Sequence, residues 1–172
     1  MESQDNEVRD LSNQEAINKM KELVEHANIC FFVTLPGQDP LAARPMATQQ
    51  VDNEGTFWFF SGQNSQKNFD IGEDARVQLF YSNPSKYEFL SVYGRAAVSR
   101  DRNRIEELWT PVAKAWFKEG KNDPSITLIQ VVPDQAYYWD TKNNKVVSFL
   151  KILASMVSDK SMDDGVMGKL KV

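Results

Sequence analysis

Arg44, Ser61, Ser65 and Lys67 are the side chains whose types and spacing could act on one ligand. A phosphate needs two or three charge-assisted donors, and arginine, lysine, serine hydroxyls and loop amides are their usual source. The run Ser61-Gly62-Gln63-Asn64-Ser65-Gln66-Lys67 supplies all of these except the arginine, which precedes it at Arg44. A flat aromatic cofactor bearing a phosphate would suit such a set. Composition alone favours a plainer reading, in which the run is a solvated loop and Arg44 pairs with Asp52 or Glu54. The run lacks the G-x-x-x-x-G-K-[ST] spacing of a P-loop, and the chain has no G-x-G-x-x-G, so a nucleotide would not be held in the Rossmann manner.

Other candidate chemistry is thinner. His26, the single histidine, sits at the polar end of an expected helix with no cluster of metal-ligating residues in sequence around it, and no metal ligand is assigned. Cys30, the single cysteine, lies in the apolar run Ile29 to Val33 and reads as core. No Ser/His/Asp or Cys/His arrangement has supporting context, which disfavours hydrolysis and acyl transfer, and no catalytic residue is assigned. Glu106 and Glu107 read as a solvated helix face. Trp109 and Trp116 have the spacing of helix core.

Positioning the anion-binding set requires a hairpin. Ala42 to Val51 reads as a strand, Asp52-Asn53-Glu54-Gly55 as a turn, and Thr56 to Phe60 as a second strand. Antiparallel pairing about that turn brings Arg44-Pro45-Met46 near Ser61-Gly62. Before the hairpin, Ser12-Asn13-Gln14-Glu15 fits a capping box for a helix reaching about His26, and Ile29 to Leu35 is a strand ended by Pro36-Gly37. After it, a short helix over Asn68 to Ala75 leads to strands at Arg76 to Tyr81 and Tyr87 to Ser99. A helical region starts at Asp101, with a break before Pro111, and Ile105, Leu108, Trp109, Val112 and Trp116 are spaced for one face. Ser125 to Asp140 is a long strand, Lys142 to Lys145 a turn, and Val146 to Val157 an amphipathic helix. Strands joined by short turns, without crossover helices, predict a mainly β protein: an antiparallel barrel with flanking helices.

At 172 residues the chain suits a single domain, expected over residues 12–157, between a polar N-terminal segment (1–11) and a polar C-terminal tail (158–172). The net charge of −4, with lysine and arginine dispersed, argues against nucleic acid or an anionic membrane as the main partner. With one cysteine, no signal peptide and no apolar span of membrane length, a cytoplasmic location is expected. Aromatic residues make up 11% of the chain, with ten Phe and four Trp, enough to furnish a cofactor or dimer surface as well as a core.

Leu108-Trp-Thr-Pro-Val-Ala-Lys-Ala-Trp-Phe-Lys-Glu-Gly-Lys-Asn-Asp-Pro124 is similar to the helix pattern of the general stress protein branch of the FMN-binding split-barrel superfamily of pyridoxamine 5′-phosphate oxidase. Ala136-Tyr-Tyr-Trp-Asp140 resembles the strand that follows in that branch. Arg44-Pro45-Met46, Trp58-Phe59-Phe60-Ser61 and Ser65-Gln66-Lys67 match the family's flavin site. The resemblance covers most of the chain from Asn13 to Trp139 and implies an antiparallel split β-barrel. It further implies FMN as cofactor, with FAD as the alternative. Arg44, Pro45 and Met46 would lie along the isoalloxazine ring, Phe59, Phe60 and Ser61 along the ribityl chain, and Ser65, Gln66 and Lys67 at the phosphate. A homodimer with flavin at its interface is implied, with Trp109, Trp116 and Trp139 near the partner or its flavin.

Departures from the true oxidase bear on activity. Counted back from Gly94, Phe89 stands where the oxidase has a flavin-contacting glutamine. The oxidase's Tyr, Arg and Ser at four-residue steps, and its C-terminal Arg-x-His, are absent. The resemblance therefore implies a flavin-dependent oxidoreductase or flavin reductase with a small-molecule or flavin-linked redox partner, not a pyridoxamine phosphate oxidase. A non-catalytic flavin carrier or sensor is the second reading; a barrel using FAD, haem or a deazaflavin is the third.

Overall fold

The computed structural model describes residues 11–140 and 166–171. Eight strands are β1 (Leu11–Ser12), β2 (Ile29–Thr34), β3 (Ala42–Val51), β4 (Phe57–Gly62), β5 (Arg76–Asn83), β6 (Glu88–Ser99), β7 (Ile126–Asp140) and β8 (Val166–Lys171). Three helices are α1 (Asn13–His26), α2 (Gln66–Glu73) and α3 (Arg102–Leu108), followed by 3-10 turns at Pro111–Ala115 and Gly120–Asn122.

Six strands run in the order β7-β4-β3-β2-β5-β6, and β6 pairs back onto β7 to close an antiparallel barrel. Closure removes free sheet edges, which would otherwise invite pairing with another chain. β7 closes the barrel because it is long enough to serve two neighbours on one edge: residues 126–131 pair with β4 and residues 136–140 with β8. The β6–β7 ladder shifts register between Tyr93 and Gly94, where Gly94 faces Pro133. A Cβ on Gly94 would lie 2.4 Å from the Val132 carbonyl oxygen, so the strands approach more closely there than a side chain allows.

Alternation along the strands sends Phe32, Phe57, Phe59, Leu79, Val92 and Val131 into the barrel interior. Helix α1 lays Ala16, Ile17, Met20, Leu23 and Val24 against the same core, as the 3.6-residue spacing of these residues requires. A second, smaller core lies outside the barrel wall, where Ile105, Leu108 and Phe117 pack with Ile126 and Leu128 against Trp58, Phe60 and Trp109.

The expected hairpin, the first helix and the barrel are all present. Three features differ from expectation. The short helix begins at Gln66 rather than Asn68, so Gln66 and Lys67 lie in its first turn instead of in a loop. Residues 111–115 form a 3-10 turn, which swings Val112 and Trp116 out of the face they would share in an α-helix; Trp116 is 72% exposed. The terminal segment expected to be a polar tail contains β8, antiparallel to β7 and parallel to β1, with Leu170 fully buried. The helix expected at 146–157 lies outside the described residues.

Candidate functional site

Arg44 lies on β3 near its start, and the register Cys30↔Met46, Phe32↔Arg44 places it beside the end of β2. Its guanidinium is not paired across the hairpin with Asp52 or Glu54. Nη1 donates to Thr34 Oγ1 at 2.7 Å and Nη2 approaches Asp70 Oδ2 at 3.4 Å. The Thr34 hydroxyl donates to the same Asp70 oxygen at 2.5 Å, and Gln66 Nε2 donates to Asp70 Oδ1 at 3.0 Å. Asp70, on the inner face of α2, is 3% exposed. Burial works to raise its carboxyl, but hydrogen bonds from Thr34 and Gln66, with the Arg44 charge, hold it below the usual carboxylate range.

Lys67 stands one helical turn before Asp70 with no ion pair among the described residues. Burial lowers its ammonium from the ordinary lysine value, and the neighbouring Arg44 charge lowers it further. Two cations therefore face each other with one carboxylate, itself committed to Thr34, Gln66 and Arg44. An anion seated between them would relieve the repulsion. The first turn of α2 adds amides that lack intrahelical acceptors, a natural cradle for phosphate oxygens.

Ser61 and Ser65 are joined at 2.8 Å between their hydroxyls. The Ser61 hydroxyl also donates to Asn68 Oδ1 at 2.8 Å, while Asn68 Nδ2 donates to the Gly62 carbonyl and to Thr127 Oγ1, each at 3.0 Å. Thr127 in turn donates to the Ser61 carbonyl at 3.0 Å. Ser61 is 2% exposed, so its hydroxyl works inside this network and fixes the loop. Ser65, partly exposed, is the N-cap of α2, and its side chain caps none of the helix amides. It stands beside Lys67 with a hydroxyl directed to the loop rather than to its own helix.

The remaining sequence-derived residues divide by strand alternation. Met46 and Phe59 point into the barrel core, Phe59 meeting Phe32 edge-on with ring centroids 5.2 Å apart, so only their backbone groups face outward. Pro45 is exposed on the opposite face of β3. Phe60 points outward but is covered by Trp109 (5.8 Å) and Phe117 (6.3 Å). Trp109 thus supports the wall of the site from behind, while Trp116 projects into solvent. Phe89 lies on β6 opposite Trp139 and is partly exposed. Sequence reasoning missed Thr34, Asp70, Asn68 and Thr127. Gln66 and Asp70, four apart on a helix, carried a weak signal; Thr34 and Thr127 carried none, because long-range pairing alone brings them there.

Away from this site, His26 Nδ1 lies 2.8 Å from Glu88 Oε2, and with Glu22 the three ligand atoms fall within 4.8 Å of one another. Lys86 Nζ sits 3.2 Å from His26 Nε2 and Asn83 donates to Glu88, so the group is already supplied with positive charge and donors. Cys30 is buried in the core, and burial pushes its thiol up to about 12 against the opposing effect of a hydrogen bond with Tyr81. No helix among the described residues is long and apolar enough to cross a membrane.

A closed six-stranded antiparallel barrel with helices packed on it is the split-barrel architecture, and here its corner between β3 and α2 carries two cations. The chain belongs to the pyridoxamine 5′-phosphate oxidase-like family, whose model matches residues 15–163. A solved structure from Xanthomonas citri, described as a general stress FMN/FAD binding protein, is 25% identical with a TM-score of 0.65, covering 81% of this chain and 99% of its own. A Clostridium acetobutylicum protein related to general stress protein 26 shares the fold at 20% identity and a TM-score of 0.63, covering 74% of this chain and 89% of its own. Protein bli-3 of Neurospora crassa is 25% identical over 129 residues, 70% of this chain but 62% of the length of that relative. Both solved structures share the barrel fold of this chain and carry general stress protein descriptions of their own.

Proposed function

We propose that this chain binds FMN and serves as a flavin-dependent oxidoreductase or flavin reductase. The observation that carries the reading is the unpaired Lys67 beside Arg44 at the first turn of α2. The donor set fits a phosphate: an ammonium without an ion pair among the described residues and helix-terminal amides, with the guanidinium of Arg44 behind them; the Ser65 hydroxyl, which donates to Ser61, would turn outward to join them. The outward edge of β3 at Arg44–Met46 offers backbone groups and the exposed Pro45 for a ring. When bound, the flavin supplies hydride acceptance and donation, and the protein supplies placement and electrostatics. Lys67 and Arg44 hold the anion, Asp70 and Thr34 fix Arg44, and Ser61 with Asn68 and Thr127 fixes the loop. The similarity to the Xanthomonas citri FMN/FAD binding protein supports the same reading.

A homodimer with flavin at its interface belongs to this proposal. Pro45, Phe31 and Phe80 are register neighbours across β3, β2 and β5, and all three face outward. Phe31 is 60% and Phe80 45% exposed, with Ile29 exposed beside them. An apolar patch on a closed sheet, adjoining the strand of Arg44, is a surface that a second copy would cover.

Titration of the protein with FMN, followed by flavin fluorescence, tests the site. Saturable binding that weakens about tenfold to a hundredfold in Lys67→Ala is expected from loss of one charge-assisted contact. Failure to bind FMN would refute it. Turnover of NADPH or NADH by the flavin-loaded protein above the rate with free FMN separates an enzyme from a carrier. Sedimentation of wild type and Phe31→Lys tests the dimer, the variant being expected to run as a monomer.

A further inference from the structure

Lys19 bonds Asp140 and Glu22, Lys121 bonds Glu106, and Lys21 bonds the Asn53 amide oxygen. Lys67 has no ion pair among the described residues and stands instead beside a second cation, Arg44. The difference shows in proton affinity. Burial works against the ammonium of Lys19 too, but Asp140 and Glu22 hold it above the ordinary lysine value. At Lys67 burial and the Arg44 charge act in the same direction, so Lys67 carries the larger neutral fraction of the two. Lys67 is also partly exposed, which leaves its side chain within reach of a solute.

A neutral lysine amine is a nucleophile, and the groups around it select the electrophile that it meets. The amides of Gln66 and Lys67 open α2 ahead of its first helical acceptor, while Asn68, next in line, already donates to the Ser65 carbonyl at 3.0 Å. The guanidinium of Arg44 is anchored through Nη1 to Thr34 and through Nη2 to Asp70, with further N–H groups left to donate. Together these donors can seat a phosphate without the ammonium of Lys67. A molecule that carries phosphate on an acyl carbon would then present its carbonyl to Nζ. We propose that Lys67 is a modification site, acylated by a small acyl phosphate seated between Arg44 and the first turn of α2. The amine nitrogen attacks the carbonyl carbon, the bond from that carbon to the bridging oxygen breaks, and phosphate leaves with the electron pair and the amine's proton. An amide on Lys67 and inorganic phosphate result, and no oxidant or reductant takes part. The amide is uncharged, so acylation removes a cation that FMN would use and blocks its binding. That block rests on the flavin reading of the site; the acylation does not.

Full-length protein stripped of any flavin is incubated with acetyl phosphate, and the acetylation of each lysine is followed by peptide mass spectrometry. Lys114 and Lys118, exposed and without ion pairs among the described residues, serve as internal standards. Lys67 is expected to react about tenfold or more faster than either, from seating of the reagent beside it. Inorganic phosphate should remove that lead, and so should Arg44→Ala, while Lys114 and Lys118 react as before. The N-hydroxysuccinimide ester of acetate, which has no phosphate to seat, should show a smaller lead. A lead that is absent, that persists undiminished under inorganic phosphate, or that is equal for the two reagents overturns the proposal. FMN that binds and protects Lys67 supports one shared seat; FMN that binds and leaves Lys67 as reactive as before overturns it. Selective acetylation of Lys67 in a protein that binds no FMN keeps the modification site and removes the flavin reading, and FMN binding with no lead at Lys67 does the reverse.

Discussion

Arg44 and Asp70 meet across the end of the barrel, Nη2 to Oδ2 at 3.4 Å, with the Thr34 hydroxyl bonded to both. The carboxylate is buried and the guanidinium partly exposed, so the pair holds a charge at the surface from beneath. Arg44 is thereby placed to face Lys67 instead of turning toward the acids of its own hairpin.

Removing the carboxylate should loosen this corner. Asp70→Ala leaves the Thr34 hydroxyl, the Gln66 amide and Arg44 short of an acceptor, and a cost of about 1.5–3 kcal/mol is expected in urea denaturation. Because the Asp70 carboxyl is held below its unfolded value, its contribution is present above the unfolded pKa and is lost as pH falls through the folded one. Wild type should therefore lose more stability than Asp70→Asn between about pH 5 and pH 3; equal losses would place the effect on other carboxylates.

Lys67→Met is expected to separate stability from binding. Burial and Arg44 both disfavour the ammonium in the free protein, so its removal should leave the denaturation midpoint unchanged or raised. The same variant should weaken FMN binding about tenfold to a hundredfold. A protein destabilised by the substitution would show that Lys67 has a structural partner.

Cys30 should resist alkylation. Its thiol is buried and pushed up to about 12, leaving almost no thiolate at neutral pH. Mass spectrometry after iodoacetamide treatment should find no adduct on native protein and one adduct after denaturation.

Glycine substitutions should differ sharply by site. Gly94→Ala places a methyl 2.4 Å from the Val132 carbonyl oxygen, forcing β6 and β7 apart, and about 1–3 kcal/mol of destabilisation is expected in thermal or urea unfolding. Gly62→Ala meets nothing within 4 Å and should change stability by less than about 0.5 kcal/mol.

The elements were legible because their signals are local. Period-two alternation and dense aromatic residues mark β3, β4 and β7, the turn residues Asp52–Gly55 fix the hairpin, and the 3.6-residue stripe from Ala16 to Val24 marks α1. The antiparallel pairing of β3 with β4 followed from them, but the register shift between Thr48 and Gln50 did not. The start of α2 was less legible, because Ser65 makes no side-chain cap to advertise it. β8 was missed because a single buried leucine between lysines carries almost no periodic signal.

The sequence by itself determined which donor types stand near one another and that short turns join the strands. Only the tertiary structure decided what each donor does. Barrel closure brings Thr34, Asp70 and Thr127 under the loop from distant positions, which turns Arg44 away from its hairpin and occupies the Ser61 hydroxyl. It leaves Lys67 beside Arg44 without an ion pair among the described residues. Long-range pairing decides where charges and hydroxyls are satisfied, and no spacing within one segment can record it.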